Sequence, residues 1–147
     1  LDSKGNIWIG GNQCFYLLSE KDNALKKIKL PSSLGPIDIW TIFEGHNNSV
    51  WLGTKEHGAL QLDKKNNKII AQLDAEKSRT SGFCRNTNSI CQLIYYKDEI
   101  WTGSYQGIQV FDKQTLKLKK KFKAGDNSGL AHNTVITLYQ SSKGELW

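Results

Sequence analysis

Four of the five tryptophans of this 147-residue chain occupy one recurring element, and that recurrence limits the fold more than any other feature. Gly5-Asn6-Ile7-Trp8-Ile9-Gly10, Ser49-Val50-Trp51-Leu52-Gly53-Thr54, Glu99-Ile100-Trp101-Thr102-Gly103-Ser104 and Gly144-Glu145-Leu146-Trp147 are copies of it. Trp8, Trp51, Trp101 and Trp147 stand 43, 50 and 46 residues apart. Periods of about 40–50 residues are those of propeller blades.

The copies extend beyond the tryptophan. Three residues before it stand Gly5, Asn48, Asp98 and Gly144, types that tolerate the positive φ of a tight hairpin turn. Two residues after it stand Gly10, Gly53 and Gly103. A second strand follows in Cys14-Phe15-Tyr16-Leu17-Leu18, in 58–63 and in 107–112. Another precedes the turn in Ile39-Trp40-Thr41-Ile42, Ile90-Cys91-Gln92-Leu93 and Val135-Ile136-Thr137-Leu138. A fourth is expected over 25–30, 68–73 and 116–122. No window carries a sustained helical period with caps. Each repeat therefore reads as four short strands joined by turns.

The fold class that follows is all-β: a β-propeller fragment of about three four-stranded antiparallel blades. Residues 1–35 supply strands two to four of one blade, 36–83 and 84–131 are whole blades, and 132–147 begin the next. The strand of Ile39, Ile90 and Val135 is apolar on both sides and is assigned to the channel, doubly buried between neighbouring blades. The fourth strand is then the outer edge. Lys117, Lys119, Lys121 and Lys123 alternate onto one face of it. Lysine on an edge strand blocks sheet-to-sheet aggregation. A polyanion patch is the other reading.

Three blades cannot close a ring, so the remainder is expected from a longer parent chain or a second copy, and open blade ends predict self-association. No leader sequence is read at Leu1. With no methionine at all, the chain is expected to be a processed product or a piece of a longer one.

Composition narrows the function. Hydrophobic residues make up 38%, charged residues 23%, and the mean hydropathy is -0.51, a soluble globular balance. No apolar run reaches the roughly 20 residues of a membrane span. The net charge is +6, but nearly all of it is lysine. Arg79 and Arg85 are the only arginines, which argues against nucleic acid, whose readers lean on arginine forks. Cys14, Cys84 and Cys91 make an odd count, not a disulfide framework. They read as small buried hydrophobes, with a Cys84–Cys91 bridge as the alternative.

Catalytic constellations are missing. His46, His57 and His132 are far apart and lie at no zinc-ligand spacing with cysteine. No cofactor or metal is expected. Asn47-Asn48-Ser49 fits a glycosylation sequon but falls in a blade turn, where asparagine is chosen for its backbone chemistry.

The pattern of an apolar strand, an Asp-x-x-Gly-like turn, Trp-x-Gly-Thr and Gly-apolar-x-apolar-x-Asp resembles the two-component regulator propeller repeat. The resemblance rests on 2–10, 50–63 and 99–112 and covers essentially the whole chain. Cys14 departs from it where the other copies have Gly58 and Gly107, and the turn at Lys97-Asp98-Glu99 is shortened. The resemblance implies the periplasmic, ligand-sensing part of a hybrid sensor kinase, membrane-anchored through its parent chain. The ligand it implies is an extracellular small molecule, such as an oligosaccharide.

The expected ligand face carries the strand-four-to-one and strand-two-to-three loops: 31–36, 55–57, 74–88, 105–106 and 124–133. The longest, 74–88, holds both arginines and Phe83. Long loops on rigid scaffolds carry function, arginine forks suit carboxylates, and aromatic faces suit sugar rings. The candidate rim is Arg79, Phe83, Arg85, His57, Tyr105 and His132. A surface loop making only blade or subunit contacts is the alternative. Trp40 reads either as channel-lining or as packed between blades. Two other functions stay open on the residues: an enzyme resembling streptogramin lyases, which would need a channel-facing histidine and a metal, and a protein-interaction scaffold.

Overall fold

The computed structural model describes residues 1–74 and 89–147. Its strands form three antiparallel sheets of three, four and four strands. The first holds β1 (Ile7–Gly11), β2 (Cys14–Leu18) and β3 (Leu25–Lys27). The second holds β4 (Ile39–Glu44), β5 (Ser49–Thr54), β6 (Ala59–Asp63) and β7 (Ile69–Leu73). The third holds β8 (Ile90–Tyr96), β9 (Glu99–Ser104), β10 (Gly107–Asp112) and β11 (Leu118–Phe122). Each sheet is a meander in sequence order. The tryptophan element is β1, β5 and β9 in turn. The one helical element among the described residues is a single 3-10 turn, Ser32–Leu34.

The sheets stack face to face, and period-two alternation decides what fills each seam. Val50, Leu52, Leu60 and Leu62 point to the first sheet and meet Phe15, Ile28, Ile37 and Ile39. Trp51, Ala59 and Leu73 point the other way and meet Ile90, Leu93, Ile100 and Phe111. Trp51 is fully buried; hiding about 200 Å² of indole from water contributes about 5 kcal/mol of transfer free energy.

The expectation of double burial needs a correction. Every residue of β5 is buried, whereas β4 is mostly half-buried. β5 lies between two strands of its own sheet and between two other sheets. β4 has a strand on one side only. The fourth strands are outer edges, as expected, and β11 exposes four of its five residues. Lys119 there pairs with Glu99 at 2.7 Å.

The glycine two residues after each tryptophan is where the next sheet docks. A Cβ on Gly10 would come within 2.5 Å of Ile39 Cγ2, one on Gly53 within 2.9 Å of the Ile90 carbonyl, and one on Gly103 within 3.0 Å of the Val135 carbonyl. Ile39, Ile90 and Val135 are equivalent positions, each beginning the following repeat. The entering chain is also pinned to the preceding sheet: Gln13 N–H donates to Ile37 O, Ser89 Oγ–H to Lys55 O, and Val135 N–H to Ser104 O.

The expected strand Val135–Leu138 is absent: the segment docks through Val135 but forms no ladder. Its partner strand would begin near Glu145. Tyr139 and Trp147 exchange both backbone hydrogen bonds, and only one bridge, Gln140 to Leu146, is made. Ile136 and Trp147 remain exposed.

Candidate functional site

Antiparallel alternation divides the loops between two faces. The connection face carries the turns β1–β2, β5–β6 and β9–β10 and the segments running from one sheet to the next. The turn face carries β4–β5, β8–β9 and the turns before each outer strand.

On the connection face, the last hydroxyl of each tryptophan strand ties down the turn that follows. Thr54 Oγ1–H donates to Gly58 O at 2.8 Å and accepts from His57 N–H at 2.9 Å. Ser104 Oγ–H donates to Gly107 O at 3.1 Å and accepts from Gln106 N–H at 3.0 Å. Both hydroxyls are buried, so His57 and Tyr105 stand on turns with little freedom. The His57 carbonyl also accepts from Gln72 Nε2 at 3.1 Å. His132 is exposed in the 124–133 loop, and its Nδ1 accepts from Thr134 N–H at 3.0 Å. Arg79, Phe83 and Arg85, with Cys84, lie outside the described residues.

Of the expected rim, Tyr105 is the residue brought against another aromatic ring. It meets Trp40 edge-on, with centroids 5.9 Å apart at 83°. Trp40 is 42% exposed, so it packs against the neighbouring sheet through Tyr105 on one side and stays open to solvent on the other. The cause is a bulge: the β4–β5 register shifts between Ile39 and Thr41, and Trp40 is the residue it turns out of the ladder. β8 has the same bulge between Ile90 and Gln92. The sequence set Trp40 apart by type alone, since it stands where the other copies have Cys91 and Ile136.

Electrostatics concentrate between the first two sheets. Asp2 accepts from Trp8 Nε1–H at 3.0 Å, Lys64 Nζ at 3.0 Å and Asn6 N–H at 2.9 Å. Burial alone would raise the Asp2 pKa, but the hydrogen bonds from Trp8, Lys64 and Asn6 outweigh it and hold the carboxyl well below the usual range. Lys64 also donates to Glu44 Oε1 at 2.5 Å, and this bond lowers the Glu44 pKa. Sequence reading missed this triad, because Asp2 and Lys64 are 62 residues apart. Among the described residues, no group of three His, Cys, Asp or Glu side chains could hold a metal ion, and no helix is long and apolar enough to cross a membrane.

A scan against protein-family models and a search of curated proteins both return no match. Solved structures do match. The extracellular domain assigned to the hybrid two component system BT3049 from B. thetaiotaomicron is 23% identical with a TM-score of 0.77, over 99% of this chain and 19% of its own. The extracellular domain assigned to the hybrid two component system BT4673 from the same organism is 20% identical with a TM-score of 0.73, over 99% of this chain and 17% of its own. The computationally designed Ika4 protein is 16% identical with a TM-score of 0.64, over 99% of this chain and 85% of its own. The chain thus spans under a fifth of the two natural proteins. Identities this low establish a shared fold, and among the structures that share it are extracellular domains of the class whose repeat the sequence resembles.

Proposed function

We propose that this chain is a segment of the periplasmic ligand-sensing propeller of a hybrid two-component regulator, and that its ligand is an extracellular oligosaccharide. The observation that carries the reading is the Trp40–Tyr105 pair. One ring stands on the second sheet and the other on the third, at the connection face. Trp40 and Tyr105 put two adjoining aromatic rings at the surface, and flat aromatic surface suits the apolar face of a sugar ring. The likeness in fold to extracellular domains of hybrid two component systems supports the setting.

In this reading Trp40 and Tyr105 stack a sugar, while His57 and His132 supply polar contacts. Arg79, Phe83 and Arg85 complete the rim. Because the two rings belong to different sheets, a ligand held by both favours one relative placement of those sheets and shifts the population toward it. The parent chain is membrane-anchored and carries the signal inward. This segment catalyses nothing, and further blades come from the parent chain or a second copy.

The test is a thermal-shift screen of the chain against neutral and acidic oligosaccharides. A binder at a hundredfold excess over Kd stabilises by about 2.7 kcal/mol and raises Tm by several degrees. Trp40→Ala should remove that shift while leaving the unliganded Tm close to wild type. A shift that survives in Trp40→Ala, or no shift with any glycan, defeats the reading.

A further inference from the structure

Among the described residues, two clefts of similar size open on the turn face. One, of about 660 Å³, opens at the seam between the second and third sheets. A second, of about 640 Å³, shares His46, Asn47 and Tyr95 with it and runs on to Lys4 of the first repeat. The two form one groove across three repeats. At their junction His46 stacks parallel on Tyr95, with centroids 4.5 Å apart at 3°. His46 is exposed and Tyr95 half-buried, so the imidazole is the solvent-side ring of the stack.

Three amides, from Asn47, Gln61 and Gln114, line the larger cleft with paired donors and acceptors. Leu116 supplies apolar floor, and it adopts φ 58 to do so. The equivalent residues of the other two outer turns are Asn23 and Asn67, at φ 51 and 57. Asparagine tolerates that conformation, whereas leucine is an outlier there. The third repeat therefore holds a strained backbone that places an aliphatic side chain under the cleft.

The cation at the mouth is Lys113. It occupies the position of Lys64 in the preceding repeat: both follow the aspartate ending the third strand, and both donate N–H to the hairpin opposite, at Asn48 O and Asp98 O. Lys64 is buried and consumed by Asp2 and Glu44. Lys113 has only Asp98, at 3.1 Å, whose side chain is 94% exposed. Lys113 itself is 23% exposed, and a pair whose carboxylate stands in solvent is weakly held, so an incoming carboxylate can displace Asp98. Lys4, at the far end of the groove, is likewise exposed and held only by Asn48 Oδ1 at 3.3 Å.

The groove has a cation at each end, amides along the Lys113 half and a flat aromatic stack in the middle; the Glu44 carboxylate in the Lys4 half is held by Lys64 and Ser3. We propose that this groove binds an oligosaccharide bearing carboxylates, with Lys113 and Lys4 taking the acid groups, the amides taking hydroxyls and the His46 ring taking a sugar face. The site is separate from the Trp40–Tyr105 rim, lies on the opposite face, and does not rest on the sensor reading.

The test is an NMR titration of the isotope-labelled chain with a galacturonic acid trisaccharide and, separately, with the uncharged galactose trisaccharide. The acidic probe should shift the amides of 46–47 and 113–116. Lys113→Ala should weaken it about tenfold, the loss of one charge-assisted hydrogen bond, and the neutral probe should bind at least tenfold more weakly. Among the described residues the Lys113 ammonium pairs with Asp98, and an unchanged spectrum elsewhere verifies that the variant folds. Three outcomes overturn the proposal: no shifts at millimolar acidic probe, equal affinity of Lys113→Ala and wild type, or shifts confined to Trp40 and Tyr105. The last would leave the connection-face site standing alone.

Discussion

The two seams of this molecule are built on one repeat and sealed by different chemistry. Glu44 and Tyr95 hold the same place in their sheets, each paired across the hairpin with the residue before the tryptophan, Val50 in one case and Ile100 in the other. Between the first and second sheets, half-buried Glu44 joins the buried Lys64–Asp2 pair in an ionic triad around Trp8. Between the second and third, Tyr95 accepts from Trp51 Nε1–H at 2.9 Å and packs against His46 and Phe43. An indole buried in a seam must find an acceptor for its N–H. Trp8 finds a carboxylate, Trp51 finds a phenol from the next sheet, and Trp101 finds Glu99 of its own strand at 3.1 Å. The repeat fixes the ring; each seam solves the hydrogen bond for itself.

The ionic seam is the more brittle of the two. Lys64→Met keeps the stem and removes the charge, leaving Asp2 and Glu44 without their shared cation. Breaking a buried pair by deleting one partner costs about 3–5 kcal/mol. The low end is expected, because Asp2 keeps its bonds from Trp8 and Asn6. Urea unfolding would measure the loss, and hydrogen exchange should locate it in the first sheet. A loss under about 1 kcal/mol would mean that water replaces the ammonium and that the seam is held by its apolar cluster alone.

Acid should separate the seams in the same order. The folded-state pKa of Asp2 is depressed, so its stabilising contribution is present in full above the ordinary carboxylate value of about 3.9 and fades as pH falls below it. Glu44 is depressed too, chiefly by its bond from Lys64, and acts in the same direction. The seam around Tyr95 holds no carboxylate among its ring contacts. Hydrogen exchange followed from pH 5 to pH 2.5 should therefore show β1 losing protection before β8, the seam strand that holds Tyr95; the depressed carboxylates of the third sheet, Glu99 and Asp112, act on β9 to β11 instead. Simultaneous loss would contradict the contrast.

Much of this architecture was legible in the sequence, and the boundary has a physical origin. The tryptophan spacing located β1, β5 and β9, and alternation located the strands beside them, because both are local patterns. The glycines of the motif were visible too, though not their purpose, which is to admit the next repeat's backbone. Val135–Leu138 was read as a strand on the same local pattern, yet a strand exists only where a partner ladder forms, and here pairing stops at Tyr139 and Trp147. The Asp2–Lys64 bond was invisible because no local rule links residues on different sheets. The sequence singled out Tyr105 but not the Trp40 ring that it meets, since nothing short of the β4 bulge reveals which way that ring turns. The groove on the opposite face joins the turns of three repeats and has no signature in any one of them.

The smallest expected effect tests the aromatic seam with a single atom. Tyr95→Phe removes the hydroxyl and keeps the ring, so the contacts with His46 and Phe43 survive. What is lost is the acceptor for Trp51 Nε1–H. Trp51 is fully buried, so no solvent water reaches the orphaned donor, and the cost is that of an unsatisfied buried group, about 1–3 kcal/mol. The neutral bond places the expectation near 1 kcal/mol, clearly below Lys64→Met. Tryptophan fluorescence and urea unfolding of the two variants side by side would read the difference. If Tyr95→Phe proves the more damaging, the hydroxyl is the stronger seal, and the ionic triad's extra bonds merely offset the cost of burying its charges.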